Sequence, residues 1–454
     1  MASPNLSSLE PRERIFSRLW GVALVAHVVG NWAQPDIPKP VGWANLAVGL
    51  VGVLLALRPG RRLLLAASVL VVTSVILEMP VTGNHWLLAA LVSVAILVTG
   101  GQPSTLFPAA RMILLIFYAF AAFAKLNTGF FDPTVSCAVF YSNQWLEGFG
   151  LGPLTADSAG AAAAVWGSVL IESAVPILLV VRPLRTWGVV LGTVFHTVIS
   201  FDLNQHFYDF TAVLLPLFFL FASTSSVAQI DLAWSRLPVR GNRRVAIVFS
   251  TLAVAMVLAA VTPLRDQTVA LVTALPFLLW IPFATWWLVV SLRALAPGER
   301  LTWSIKPLAG LVVAITILNG LAPYAELKTA YSFNMYANLL TAGGESNHLL
   351  VTRTMPLREG YTDPVEILAS SDQALLAYRE TGYLIAYPQF RQYLVSRPDV
   401  SVDYLRGGVS FSVPRVGERS SLAAPVPWWW RYFPLRAVDT QRPPRCQDVF
   451  LTAL

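Results

Sequence analysis

Apolar residues run along this chain in long blocks rather than in alternation. A membrane-crossing helix needs about 20 mostly apolar residues. Windows of that length mark eleven candidates: Ile15 to Trp32, Val41 to Leu57, Leu63 to Met79, His85 to Val98, Met112 to Leu126, Ala161 to Val181, Thr186 to Phe201, Phe207 to Ala222, Val245 to Val261, Ala270 to Leu292 and Leu308 to Leu321. The fourth and last are short, so the expected number of spans is about 9 to 11. After about Tyr324 the pattern changes. Val400 to Val413 alternates as two strands joined at Gly407-Gly408, and Ser371 and Asp372 stand where they would cap a helix running towards Arg379. The expected architecture is an all-α polytopic membrane domain over residues 1–324, followed by a small α+β extracytoplasmic domain over residues 325–454.

Composition supports this reading. Hydrophobic residues make up 56% of the 454 and charged residues 13%, with a mean hydropathy of +0.61. Soluble domains carry roughly a quarter charged residues. A water-soluble enzyme, a disordered chain and a nucleic-acid partner are therefore excluded, despite a net charge of +7. The basic residues are unevenly placed. Counting loops alternately, one set holds sixteen, from Arg12 to Lys306, and the other holds Lys39 and Arg265. Positively charged loops stay in the cytoplasm. The N-terminus is therefore expected inside, and an odd number of spans puts the C-terminal region outside, in a cell membrane whose lipid surrounds the helices.

Pro427-Trp428-Trp429-Trp430-Arg431-Tyr432-Phe433 is too aromatic for an ordinary loop. It reads either as core of the outer domain or as an anchor at the membrane interface. The two cysteines, Cys137 and Cys446, both fall on the expected outer side, where a disulfide is permitted. Two unpaired thiols are the alternative, because sequence does not give their separation.

A charge inside a bilayer is costly, so ionisable residues within apolar runs are functional candidates. Here they are His27, Glu78, Lys125, Glu172, His196 and Asp209, with Asn84, His85, Asp202, Asn204 and His206 at span ends. Counted from Arg111 at 1.5 Å per residue, Lys125 lies about 21 Å across a core of roughly 30 Å. Asn84, His85, His196 and Asn204 are expected in the same leaflet. A lysine in a dry site loses its charged form and becomes an amine base or nucleophile. Snorkelling to the interface is the structural alternative, although the alanines at 119, 121, 122 and 124 mark a helix packed against neighbours. No metal site is expected, because the histidines lack a carboxylate or thiolate at ligand spacing. No nucleotide-binding or serine-hydrolase motif is present.

The run from Phe117 to Asn127 (FYAFAAFAKLN) resembles the lysine-bearing helix of the vitamin K-dependent gamma-carboxylase family, whose bacterial relatives form the horizontally transferred transmembrane domain family. Gly83-Asn84-His85 resembles that family's Asn-His pair, and Phe195-His196 with the polar turn after it resembles a further helix. Glu172 stands where the family has an intramembrane acid. Tyr331 to Leu339, with Ser346-Asn347-His348, resembles the opening of the outer domain of bacterial members. The resemblance implies that Lys125 deprotonates reduced vitamin K or menaquinol, with His85 and Asn84 as partners. It implies a quinone pocket containing His196, Glu172, Tyr118 and Asn204. O2 then turns the quinol into an alkoxide strong enough to deprotonate a glutamyl side chain, which captures CO2, and the quinone leaves as its epoxide. The implied partners are a lipid-soluble quinol and a glutamate-containing peptide or protein. The outer domain is shorter than that of the animal carboxylase, so the acceptor stays open. Two other readings stand beside this one: a non-enzymatic quinone or lipid binder, and a proton-coupled transporter using Glu78, Lys125, Glu172 and His196.

Overall fold

The computed structural model describes residues 9–30, 39–237, 251–252, 254–255, 269–358, 360–439 and 443–446. Helices α1 (Pro11–Gly30), α2 (Lys39–Leu57), α3 (Arg61–Glu78), α4 (Asn84–Thr99) and α5 (Pro103–Ala124) follow the first five apolar blocks. Two short helices, α6 (Thr128–Phe131) and α7 (Cys137–Gly148), precede α8 (Ala159–Val180), α9 (Arg185–Ile199) and α10 (Phe207–Phe219). Helix α11 (Thr224–Ser235), α12 (Val269–Arg293) and α13 (Pro307–Leu321) complete the described helical part. The ninth block, Val245 to Val261, lies almost wholly outside the described residues.

Among the described residues, five stretches are long and apolar enough to cross a membrane: Pro40–Leu57, Pro103–Ala124, Ala159–Val180, Pro276–Arg293 and Pro307–Ala325. Asn84–Thr99 and Phe207–Phe219 are apolar but shorter. Large apolar side chains lie exposed along these helices, including Trp166, Leu170 and Ile177 on α8, Trp187 on α9 and Leu318 on α13. Exposed apolar surface on this scale suits lipid rather than water.

One end of the bundle gathers the arginines. Arg12 pairs with Glu299 at 3.1 Å, Arg14 with Asp231 at 2.6 Å and Arg61 with Glu13 at 2.9 Å. One boundary expectation is corrected here. The fifth helix starts at Pro103, eight residues before Arg111, and Lys125 is its C-cap. Arg111 is buried within the helix and donates from Nε to the Leu220 carbonyl at 2.9 Å. Gly100 and Gly101 take left-handed backbone and Pro103 opens the first turn, which fixes that boundary.

The chain after α13 forms two kinds of structure. Residues 326–348, 434–439 and 443–446 lie against the other end of the bundle. Asn127 of the α5–α6 junction bridges to His348, and Asn338 donates to the carbonyls of Val135 at 2.9 Å and Pro444 at 3.1 Å. Beyond them, β1 (Glu366–Ser370), β2 (Val402–Arg406) and β3 (Val409–Val413) make an antiparallel sheet in the order β1-β2-β3. The β2–β3 hairpin turns at Gly407 and Gly408, both at positive φ, as a two-residue turn of this hand requires. Helices α14 (Gln373–Thr381) and α15 (Tyr387–Val395) cover the sheet, with Ile367, Leu375, Tyr378, Phe390, Leu394 and Tyr404 in the core. Asp372 caps α14 by accepting from the backbone of Ala374 and Leu375. The tryptophan run does not join this core. Trp428–Tyr432 forms a 3-10 turn with Trp428 76% exposed, and Arg431 donates to the carbonyls of Leu77 at 2.8 Å and of Met79. The aromatic run is thereby fixed beside the end of α3. Cys137 at the start of α7 forms a disulfide with Cys446.

Candidate functional site

A cavity of about 480 Å³ lies between α5, α7, α8, α9, the start of α10 and the segment 333–336. Its wall is mainly apolar and aromatic, including Phe117, Phe130, Trp145, Phe195, Phe207 and Phe333. The polar groups on it are few, and four of them are residues expected from the sequence: Lys125, Tyr118, Glu172 and His196.

Lys125 reaches the cavity because α5 ends at it. Its Nζ stands 2.8 Å from Glu172 Oε2 and 5.7 Å from the centre of the Phe130 ring. The Met335 carbonyl lies 3.5 Å away. That carbonyl is presented by an unusual backbone. Tyr331, Phe333, Tyr336 and Asn338 all take positive φ, a conformation that costs a bulky residue on the order of 1–2 kcal/mol. The family resemblance gives Lys125 the partners His85 and Asn84, whereas the fold gives it Glu172 of α8. Opposite the pair, Tyr118 Oη meets His196 Nε2 in a very short hydrogen bond. His196 Nδ1 is buried with no partner among the described residues, while the carbonyl of the same residue accepts from Thr211 Oγ1 at 2.9 Å.

Asp202, Tyr141 and Tyr336 also line the cavity, and sequence reasoning did not assign them to it. Asp202, which the sequence places at a span end, is only 1% exposed. Burial raises its carboxyl pKa, opposed by backbone N–H groups of Asn204 and Gln205 donating to Oδ1. Burial likewise raises the Tyr336 phenol.

Three expected site residues do not line the cavity. Asn204 lies in the α9–α10 loop and donates to the Gln144 carbonyl of α7 at 2.8 Å, so it clamps the loop. Asn84 opens α4 fully buried, and its Oδ1 accepts from the Phe333 backbone at 2.8 Å, which fixes a wall residue from behind. His85 stands behind Phe210, whose ring is 5.0 Å from that of His196 and 5.9 Å from that of His85. Gly83 explains the tripeptide. A Cβ there would lie 2.6 Å from His85 Cε1, so only glycine lets the imidazole fold back over the helix start.

The expectation that no carboxylate accompanies the histidines is also corrected. Asp209 of α10 puts Oδ2 2.7 Å from His85 Nε2 and 3.0 Å from His27 Nδ1. These residues come from three helices, and no sequence spacing links them.

Chemically, the cavity holds an acid–base pair and a hydroxyl–imidazole pair facing an apolar space. Comparison of the chain with family models, with curated proteins and with solved structures finds no match.

Proposed function

We propose that this chain is an integral membrane enzyme of the vitamin K-dependent gamma-carboxylase type, acting on reduced vitamin K or menaquinol with O2. The observation that carries the reading is the cavity. It is apolar enough for a naphthoquinol ring and the first part of its tail, and it holds Lys125, Glu172, Tyr118 and His196 on one wall system. In this reading Glu172 takes the ammonium proton of Lys125 at the contact seen here. The freed amine then accepts a proton from a quinol hydroxyl. The Tyr118–His196 pair orients the second oxygen. Asn84 and His85 act from behind the wall, Asn84 through Phe333 and His85 through Phe210. The quinol and O2 give epoxide and water. Where a glutamyl acceptor and CO2 are present, proton loss from the γ-carbon and capture of CO2 give a second carboxylate. Exclusion of water is what lets so strong a base persist.

The same proposal includes the finer topology: about 9 to 11 spans, the arginine-rich end in the cytoplasm, and the cavity end and residues 325–454 outside. The exposed Trp428 beside the end of α3 suits a domain resting on the outer membrane interface.

One observation favours a second reading, a quinone or lipid binder without turnover: the Lys125–Glu172 pair is already closed at 2.8 Å. Protein in lipid nanodiscs, given menaquinol, O2, labelled bicarbonate and glutamate-containing peptides, separates the two. Epoxide formation is expected to be abolished both by Lys125→Ala and by the double variant Lys125→Met with Glu172→Leu, whose melt stays closer to the parent's because no unpaired charge is left buried. Quinol binding with no epoxide in the parent protein overturns the enzyme reading and leaves the binder.

A further inference from the structure

Behind the cavity, His27 of α1, His85 of α4 and Asp209 of α10 bring two imidazole nitrogens and one carboxylate oxygen within 4.8 Å of one another. We propose that these three side chains bind one divalent first-row transition-metal ion, Zn2+ or Fe2+.

The donor set is the first argument, since two neutral imidazoles and a carboxylate are a common ligand set for such ions. Spacing is the second. Bonds of 2.0–2.2 Å place neighbouring ligand atoms roughly 3 Å apart. The distances from Asp209 Oδ2 to His27 Nδ1 and His85 Nε2 are 3.0 and 2.7 Å, and the two imidazole nitrogens, within 4.8 Å of each other, need only a small approach to share one ion. The third argument is the support around His27. A ligating histidine usually gives its other N–H to a carboxylate. His27 Nε2 is 3.5 Å from Glu78 Oε1. Glu78 Oε1 is in turn 2.9 Å from Ser74 Oγ, and Ser74 Oγ is 2.9 Å from Asn45 Oδ1. Trp86 stacks on the His27 ring at 3.5 Å and holds its plane. Finally, Asp209 Oδ1 is buried with no partner among the described residues, which leaves a second carboxylate oxygen for the ion. Charge also closes: a divalent cation balances Asp209 and Glu78, two buried carboxylates that would otherwise be costly.

The rival account is a purely hydrogen-bonded cluster with both histidines protonated, which balances charge equally well. Metal binding separates the two. Full-length protein purified in detergent without chelator is analysed for metals, then stripped with a chelator and reloaded with Co2+ or Zn2+. The expected result is about one ion per chain, with Co2+ giving visible absorption bands of an imidazole-ligated site. Asp209→Asn and His85→Ala should abolish those bands. Glu78→Gln should weaken binding by about 10–100-fold while leaving them in place. No ion after reloading of the folded parent protein overturns the proposal without reference to any variant. So does a Co2+ spectrum that Asp209→Asn leaves unchanged. Quinol turnover is not read in this experiment, so its failure and that of the enzyme reading are distinguishable.

Discussion

Lys125 and Glu172 form a buried ion pair, and such pairs tolerate loss of both charges better than loss of one. Glu172→Gln alone should lower stability by roughly 3–5 kcal/mol, and Lys125→Met with Glu172→Leu should recover most of that. Thermal melts of the three proteins in one detergent check this. Equal melts for single and double variants would mean that the contact contributes nothing. Lys125, Glu172 and His196 were legible in sequence because an ionisable side chain in an apolar run stands out without its partner, whereas Tyr118 came only from the family resemblance. The pairing was not legible, since no spacing rule links α5 to α8. The same blindness misplaced His85 and Asn204, whose partners lie on other helices. Lys328 was missed because it sits where the chain turns polar. It is buried and donates to Asn319 Oδ1 at 2.7 Å, and burial lowers its pKa from 10.5 to about 7. Between those values the unfolded chain binds the proton that the folded chain gives up. Lys328 therefore makes stability rise with pH from about 7 towards 10.5 and taxes it fully below. Lys328→Met should flatten this part of a melting-temperature profile, and an unchanged slope would refute the assignment.

The decisive element is the segment 331–338, whose left-handed residues aim Phe333, Met335 and Tyr336 into the cavity. Asn338 anchors it, accepting from the Cys137 backbone at 2.8 Å besides its bonds to Val135 and Pro444. At about 1 kcal/mol per bond plus the cost of positive φ, Asn338→Ala should destabilise by about 2–4 kcal/mol. Asn338→Gly loses the bonds but not the backbone freedom, so its melt should fall between alanine and the parent. An alanine variant as stable as the parent would remove the anchor role. Most helices were legible from their apolar blocks. Helix α6 was not, because it has only four residues, and α7 and α11 were not, because they are short and carry too many polar residues for a span, CAVFYSNQWLEG in α7 being an instance. Apolarity also set the start of α5 too late, since buried Arg111 was taken as its end.

Across the molecule, charge and covalent linkage make one joint forecast. The arginines collect at one end of the bundle and the Cys137–Cys446 disulfide at the other. In intact cells a membrane-impermeant maleimide should label nothing until a reductant is added, and should then label both cysteines. Labelling that needs lysed cells would invert the proposed orientation, and labelling without reductant would break the disulfide. The charge asymmetry was readable from loop composition alone. The linkage was not, since 309 residues separate its ends.

Phe210 separates two collections of ionisable groups, with His196 on one side and His85 on the other. Its ring has no group that gives or takes a proton, so no proton crosses through it, and in the proposed function His85 acts on the cavity side only by packing and charge. Each collection can then hold its own protonation state while the other changes. Under the proposed function, Phe210→Ala would remove that partition, and turnover would then depend on the protonation of His85 and Asp209.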